Sequence, residues 1–142
     1  MFAGRETEKT YWAIVKNPPI EVEGSLIHYL KRNPKQNKSY AHTKEVPESK
    51  EAILHYKIIK TLNNYFLLEV ILETGRHHQI RSQLAAIGSP IKGDLKYGFD
   101  RSNPDGSIHL HARKLKLMHP VLKEEMEFLA PPPEDPIWNA CS

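Results

Sequence analysis

Two apolar runs, Ala52 to Leu62 and Tyr65 to Glu73, meet at Asn63-Asn64 and commit this chain to a sheet-centred fold. In the second run Phe66, Leu68, Val70 and Leu72 alternate with Tyr65, Leu67, Glu69, Ile71 and Glu73. Successive side chains of a strand point to opposite faces, so the even-numbered residues form a wholly apolar face directed at a core. Asparagine tolerates positive φ, which suits the Asn63-Asn64 pair to a two-residue hairpin turn.

That second strand runs into the stretch Thr74 to Gly98, TGRHHQIRSQLAAIGSPIKGDLKYG. The chain is expected to turn on Gly75 and to place Arg76, His77, His78 and Arg81 in the first helical turn. The helix is expected to end at Gly88, followed by Pro90. At about 100° per residue, Ile80, Leu84 and Ile87 share one face. His77 and Arg81, four residues apart, flank that face where core meets cleft. An arginine held there is partly desolvated and suited to an anion, phosphate or carboxylate. The loop from Gly88 to Gly98 carries three glycines, a proline and an aspartate, so its shape is what the sequence specifies.

The rest of the chain is consistent with a compact, loop-rich domain. Its 142 residues include eleven prolines and 26% charged residues, which disfavour a long-helix bundle. No apolar run approaches the ~20 residues of a membrane-spanning helix, and no signal peptide is expected. Cys141 is the sole cysteine, so no disulfide framework exists and a reducing cytoplasm is the expected home. A net charge of +3 permits an RNA partner without arguing for one.

Lys9 to Val15 alternates as a strand, and Asn17-Pro18-Pro19 ends it. Gly24 to Leu30 is an apolar segment of either type. Lys31 to Lys38 holds four cations and no anion, and reads either as a solvated, mobile loop or as a phosphate-contacting arm. Residues 39 to 51 read as loop. Ile108 to Met118 reads as a strand, with Leu115 and Leu117 opposite Lys114 and Lys116. Pro120 to Glu125 is an expected loop, and Met126 to Leu129 is expected to pair back. The tail 131 to 142 is expected to be extended. The fold class is α+β, with a mixed, mainly antiparallel sheet and few helices. Eight histidines invite a metal site, but His109, His111, His77 and His78 lack the usual ligand spacings, so no metal is expected.

Thr74-Gly75-Arg76-x-His78-Gln79-Ile80-Arg81 followed by Gly88-x-Pro90-Ile91-x-Gly93-Asp94-x-x-Tyr97-Gly98 resembles the signature of the RluA-type RNA pseudouridine synthases. Lys9-x-Tyr11-x-Ala13-x-Val15, Leu110-His111-Ala112 and His119-Pro120 resemble further segments of that family. The likeness runs from about Phe2 to about Pro136. It implies isomerisation of uridine in ribosomal or transfer RNA, with no cofactor. It also implies that Arg81 holds the nucleophilic carboxylate, that Tyr11 stacks on the flipped base, and that Leu110 closes the pocket. Arg76, His77, His78, Lys92 and Lys96 are the implied RNA contacts; Arg76 and the loop Gly88 to Gly98 read equally as bracing for the sheet, His78 as orienting a loop through hydrogen bonds, and Asp94 is expected to brace its own turn.

One family segment is missing from the chain. The family's His-Arg-Leu-Asp motif lies upstream of the tyrosine strand, and here only ten residues precede Tyr11. The aspartates are Asp94, Asp100, Asp105 and Asp135, and only Asp94 falls in a family motif. Residues 1 to 142 are therefore expected to be the C-terminal portion of a catalytic domain, inactive alone, with Met1 an internal methionine. Surfaces bared by truncation are expected to favour a homodimer. A non-catalytic RNA-binding module and a structural protein are the competing readings. Where the family continues Arg-x-His, this chain has Arg81-Ser82-Gln83.

Overall fold

A computed structural model describes residues 7–118 and 125–141. Its strands are β1 (Thr7–Val15), β2 (Glu23–Asn33), β3 (Lys38–His42), β4 (Lys50–Thr61), β5 (Phe66–Leu72), β6 (Leu110–Met118) and β7 (Glu125–Leu129). Two helices, α1 (Gln79–Ala86) and α2 (Pro136–Asn139), and a short 3₁₀ turn at Leu95–Tyr97 complete the described elements. The strands form one sheet in the order β3-β2-β4-β5-β1-β6-β7. The α+β class holds, and every recorded pairing is antiparallel where a mixed sheet was expected.

Register explains which side chains enter the core. Ala13 lies opposite Leu68 and Leu110, and Tyr11 opposite Val70 and Ala112, so these residues share a face. Ala13, Val15, Leu54, Leu68 and Val70 are fully buried there beneath Ile80 and Leu84 of α1 and Ile91 of the following loop. Each fully buried leucine contributes about 1.5–3 kcal/mol by leaving water. The even-numbered face of β5 is thus the core face, as its alternation predicts.

The opposite face has its own smaller core. Ile14 and Leu67 pack there against Trp138 and Cys141. The C-terminal tail is therefore not extended throughout. Asp135 caps α2 by accepting the amide hydrogens of Ile137 and Trp138, both at 3.0 Å, and Pro136 opens the helix with φ already set. The small helix exists because Trp138 has apolar surface to bury.

Local departures from expectation have equally local causes. The cation-bearing stretch is a hairpin rather than a loop: β2 runs through Asn33, β3 starts at Lys38, and Asn37 makes the turn at φ 50°. The segment Gly24 to Leu30 lies within β2, and residues 38–42 form β3, because these segments complete the ladder beside β4. Asn63 and Asn64 do not adopt positive φ; the β4–β5 connection closes through the Leu62 amide on the Tyr65 carbonyl at 2.8 Å. The sixth strand begins at Leu110, not Ile108. The expected loop after Pro120, the His119-Pro120 segment and the side chains of Leu115, Lys116 and Leu117 lie outside the described residues.

β3 and β7 are the sheet's edges, and Ile20, Val22 and Ile27 are exposed. Among the described residues no helix is long and apolar enough to cross a membrane.

Candidate active site

The turn from β5 into α1 is organised by two side chains. Thr74 Oγ1 accepts the Ile53 amide hydrogen at 2.9 Å and donates to Gln79 Oε1 at 2.9 Å. Gln79 Oε1 also accepts the Arg76 amide hydrogen, and Gln79 Nε2 donates to the Ile53 carbonyl at 3.1 Å. The glutamine thus satisfies a free amide ahead of the helix while tying it to β4. Helix α1 starts at Gln79, so Arg76, His77 and His78 precede it instead of lining its first turn; His78 is the N-cap at φ 51°. One turn on, Gln83 Nε2 lies 3.2 Å from the carbonyls of Leu26 and Ala52 and 2.9 Å from His28 Nδ1. Gln83 thus straps the helix to β2 and β4.

The loop after α1 brings its carboxylate under the helix. Gly88, at φ 84°, ends α1, with the Ser89 amide donating back to the Leu84 carbonyl at 2.9 Å. Ile91 bridges to Val15, the Lys92 amide donates to the Ile14 carbonyl, and the His109 amide donates to the Lys92 carbonyl. This docking fixes Asp94, which is 1% exposed.

Arg81 meets Asp94 side-on. Its Nε donates to Asp94 Oδ2 and its Nη2 to Oδ1, each at 2.8 Å. Its Nη1 lies 3.2 Å from His78 Nε2, and its guanidinium carbon sits 4.9 Å from the Tyr97 ring centroid. The hydrogen bond to Asp94 is the main reason the guanidinium is held above its ordinary pKa. Asp94 therefore braces Arg81, not its own turn, where its side chain makes no capping bond.

His78 joins this pair to Tyr97. Because a guanidinium can only donate, His78 Nε2 must accept from Arg81, leaving Nδ1–H to donate to Tyr97 Oη at 2.9 Å. Burial, then the charges of Arg81, His77 and Lys96, push the His78 pKa down to about 4. His77 stacks on it with ring centroids 3.8 Å apart. Burial first, then Arg32, Arg81 and Lys96, lower the His77 pKa as well. Both rings are neutral at physiological pH within a gathering of cations.

A pH dependence follows. His78 folds neutral but is charged when unfolded below 6.5, so the unfolded chain binds the extra proton. Stability present above pH 6.5 is lost as pH falls through about 4. Allowing for solvent screening, the loss is about 1–2 kcal/mol. Denaturation of His78→Gln should show a shallower loss across that window; equal slopes would contradict the assignment.

The structure does not gather all the predicted site residues. Arg81, His77, His78 and Lys96 form one cluster, joined by Asp94, Tyr97 and Ser39. Arg76 lies beside it, donating from Nε to the Glu51 carbonyl at 2.8 Å. Tyr11 and Leu110 sit on the helix-covered face and pack on the same core as Ile80. No hydrogen bond or ring contact joins either to Arg81 among the described residues. Tyr11 instead lines a cleft of about 280 Å³ with Lys9, Arg113, Lys114 and Leu129, where the β1–β6 register shifts beside Thr10. Lys92 belongs elsewhere: its ammonium donates to Asn103 Oδ1, Asn103 Nδ2 donates to His109 Nδ1, and His109 Nε2 donates to Asp135. His111 donates to the Ala130 carbonyl at 2.9 Å. No cluster of three metal-ligating side chains occurs among the described residues. Nothing in the sequence marks Ser39 or Tyr97 for this cluster, although Tyr97 stands in the Gly-Asp-x-x-Tyr-Gly motif.

Comparison with known proteins bears on the chain's sequence and fold. Residues 1–86 match the profile described as RNA pseudouridylate synthase. An uncharacterized RNA pseudouridine synthase of Chloroflexus aurantiacus is 42% identical over 92% of this chain and 40% of its own length. Ribosomal large subunit pseudouridine synthase D of Haemophilus influenzae is 39% identical over 63% of this chain and 32% of its own length. Human RNA Pseudouridylate Synthase Domain Containing 1 shares the fold at a TM-score of 0.75 and 23% identity, over 97% of this chain and 60% of that one. The chain thus spans about 40% of the Chloroflexus relative it matches. With its signature arginine braced in the sheet-and-helix frame these proteins share, it belongs to the RNA pseudouridylate synthase family, of the RluA type.

Proposed function

We propose that this chain is the C-terminal part of an RNA pseudouridine synthase, which breaks the uracil–ribose C–N bond, rotates the base and forms a C–C bond. The observation that carries the reading is the way Arg81 is held. Asp94 occupies the side of the guanidinium through Nε and Nη2, and His78 takes one Nη1 hydrogen. One hydrogen on each terminal nitrogen remains to be donated to a second carboxylate. The Arg81 side chain is about one-fifth exposed and Asp94 almost fully buried, so the second carboxylate would approach from the arginine's open side.

That second carboxylate is the nucleophile, and the chain's own aspartates are poor candidates for it. Asp94 is bound to Arg81, Asp135 caps α2 and pairs with His109, Asp105 accepts from Ser107, and Asp100 is exposed in a surface cleft beside Lys16, Asn17 and Pro90 rather than at the Arg81 cluster. The nucleophile therefore comes from an upstream segment, and residues 1–142 alone are inactive. A carboxylate in a pocket that excludes water would be pushed towards its neutral form, and the adjacent guanidinium keeps it ionised. Tyr11 stacks on the flipped base and assists proton movement at C5, and Leu110 closes the pocket. Arg76 meets the RNA backbone; His77 and His78, whose ring nitrogens are all engaged, Lys96 on the Gln36 and Asn37 carbonyls, and Lys92 on Asn103 have the weaker claim. The Haemophilus relative's name favours ribosomal over transfer RNA; the proposed site of action is the cytoplasm. No step requires a cofactor.

Pseudouridine mapping of ribosomal and transfer RNA from cells lacking the gene tests this. Loss of one or a few pseudouridines, restored by the gene, is expected; an unchanged map would contradict it. A non-catalytic RNA-binding module is the second reading, favoured by the engagement of Asp94, Asp105 and Asp135, and it predicts the unchanged map.

A further inference from the structure

Resting on the reading of this cluster as an RNA-binding one, we infer that Lys96 and Tyr97 are positioning residues. They pin the cation-bearing β2–β3 turn to the Arg81–Asp94 pair, so that the arm meets the RNA backbone at a fixed position relative to that pair.

The pin is made of contacts between segments distant in sequence. Lys96 Nζ donates to the carbonyls of Gln36 and Asn37, each at 3.0 Å, inside the turn itself. Tyr97 Oη accepts the Ser39 amide hydrogen at 2.8 Å. That amide belongs to edge strand β3, and the phenol satisfies a donor that the edge would otherwise present to solvent. His77 completes the clasp, with Nδ1 2.8 Å from Ser39 Oγ and Nε2 3.1 Å from Asn37 Oδ1. The same tyrosine carries the guanidinium of Arg81 on its ring and accepts from His78.

Bracing an edge strand would need only the amide bond. The additional feature is what the pinned turn carries. Lys35 is exposed at its tip, flanked by Lys31, Arg32 and Lys38, with no anion from residue 31 to 38. Lys38 Nζ lies 5.4 Å from the Tyr97 ring centroid, so one tyrosine spans the arm's cations and Arg81. A phosphodiester backbone is the partner whose regularly spaced negative charges such a rigid array fits, and its binding weakens with salt. A pinned arm also gives up less conformational freedom on binding than a free one.

The test uses the 142-residue chain and a fluorescent, uridine-containing RNA stem-loop, with affinities measured at low and moderate salt. Lys35→Ala and Tyr97→Phe are each expected to weaken binding about threefold to tenfold, consistent with loss of one cation contact or of its placement. The double variant should be no weaker than the poorer single variant, because an unpinned arm no longer places Lys35. Hydrogen exchange at the Ser39 amide should quicken in Tyr97→Phe. Additive losses, or unchanged Ser39 exchange, would overturn the inference while leaving the RNA-binding reading intact. A wild-type chain that ignores the RNA at low salt would overturn both.

Discussion

Replacing Arg81 with methionine should lower the unfolding free energy by about 3–5 kcal/mol. Asp94 is 1% exposed, and both its oxygens are taken by the guanidinium. Removing only the cation leaves a carboxylate that is neither solvated nor paired. It must then take up a proton or draw the loop open. The variant's stability should fall as pH rises, since a neutral Asp94 is the form its site tolerates. Arg81→Met combined with Asp94→Asn should recover part of the loss, because no charge is then stranded. Urea denaturation of the three variants measures this. If the double variant merely sums the single losses, the pair is not the unit described.

Gly93→Ala should cost about 3 kcal/mol or more, by combining backbone strain with overpacking. Gly93 sits at φ 88°, and an added Cβ would meet Asn103 Nδ2 at 2.6 Å and the Ser107 carbonyl oxygen at 2.8 Å. Asn103 cannot easily yield, since it links Lys92 to His109 and donates to that same Ser107 carbonyl. Because Gly93 precedes Asp94, the strain would also disturb Arg81. Gly88→Ala is the control: its φ is 84° but nothing lies within 4 Å of an added Cβ. It should therefore cost only the backbone term, about 1–2 kcal/mol. Equal losses at the two positions would show that packing around Gly93 is not limiting.

What could be read from the sequence depended on whether the information was local. The alternation in Phe66 to Leu72 identified the core face of β5, and Ile80 and Leu84 marked the buried side of α1, because periodicity directly encodes burial. The β2–β3 hairpin was hidden because its strand character comes from pairing beside β4, while its own sequence is polar and cationic. Helix α2 was hidden because its reason to exist is a docking surface for Trp138 on the far face of the sheet. At the site, Arg81 was legible as an anion holder from its place on a helix flank. Its carboxylate within this chain, Asp94, thirteen residues away, was not, since nothing in a Gly-Asp pair says that its side chain points under the preceding helix. Tyr97 was quoted as part of a motif but without a role, since its partners Ser39 and His78 come from separate segments.

Release of tritium from RNA carrying 5-tritiated uridine tests the assignment most directly, using this chain joined to the upstream segment of the Chloroflexus aurantiacus relative. The folded chimera should release tritium as pseudouridine forms, the 142-residue chain should release none, and Arg81→Lys in the chimera should reduce release by at least about 100-fold with the fold retained. A folded chimera that releases no tritium, or an Arg81→Lys chimera as fast as its parent, would contradict the role given to this arginine.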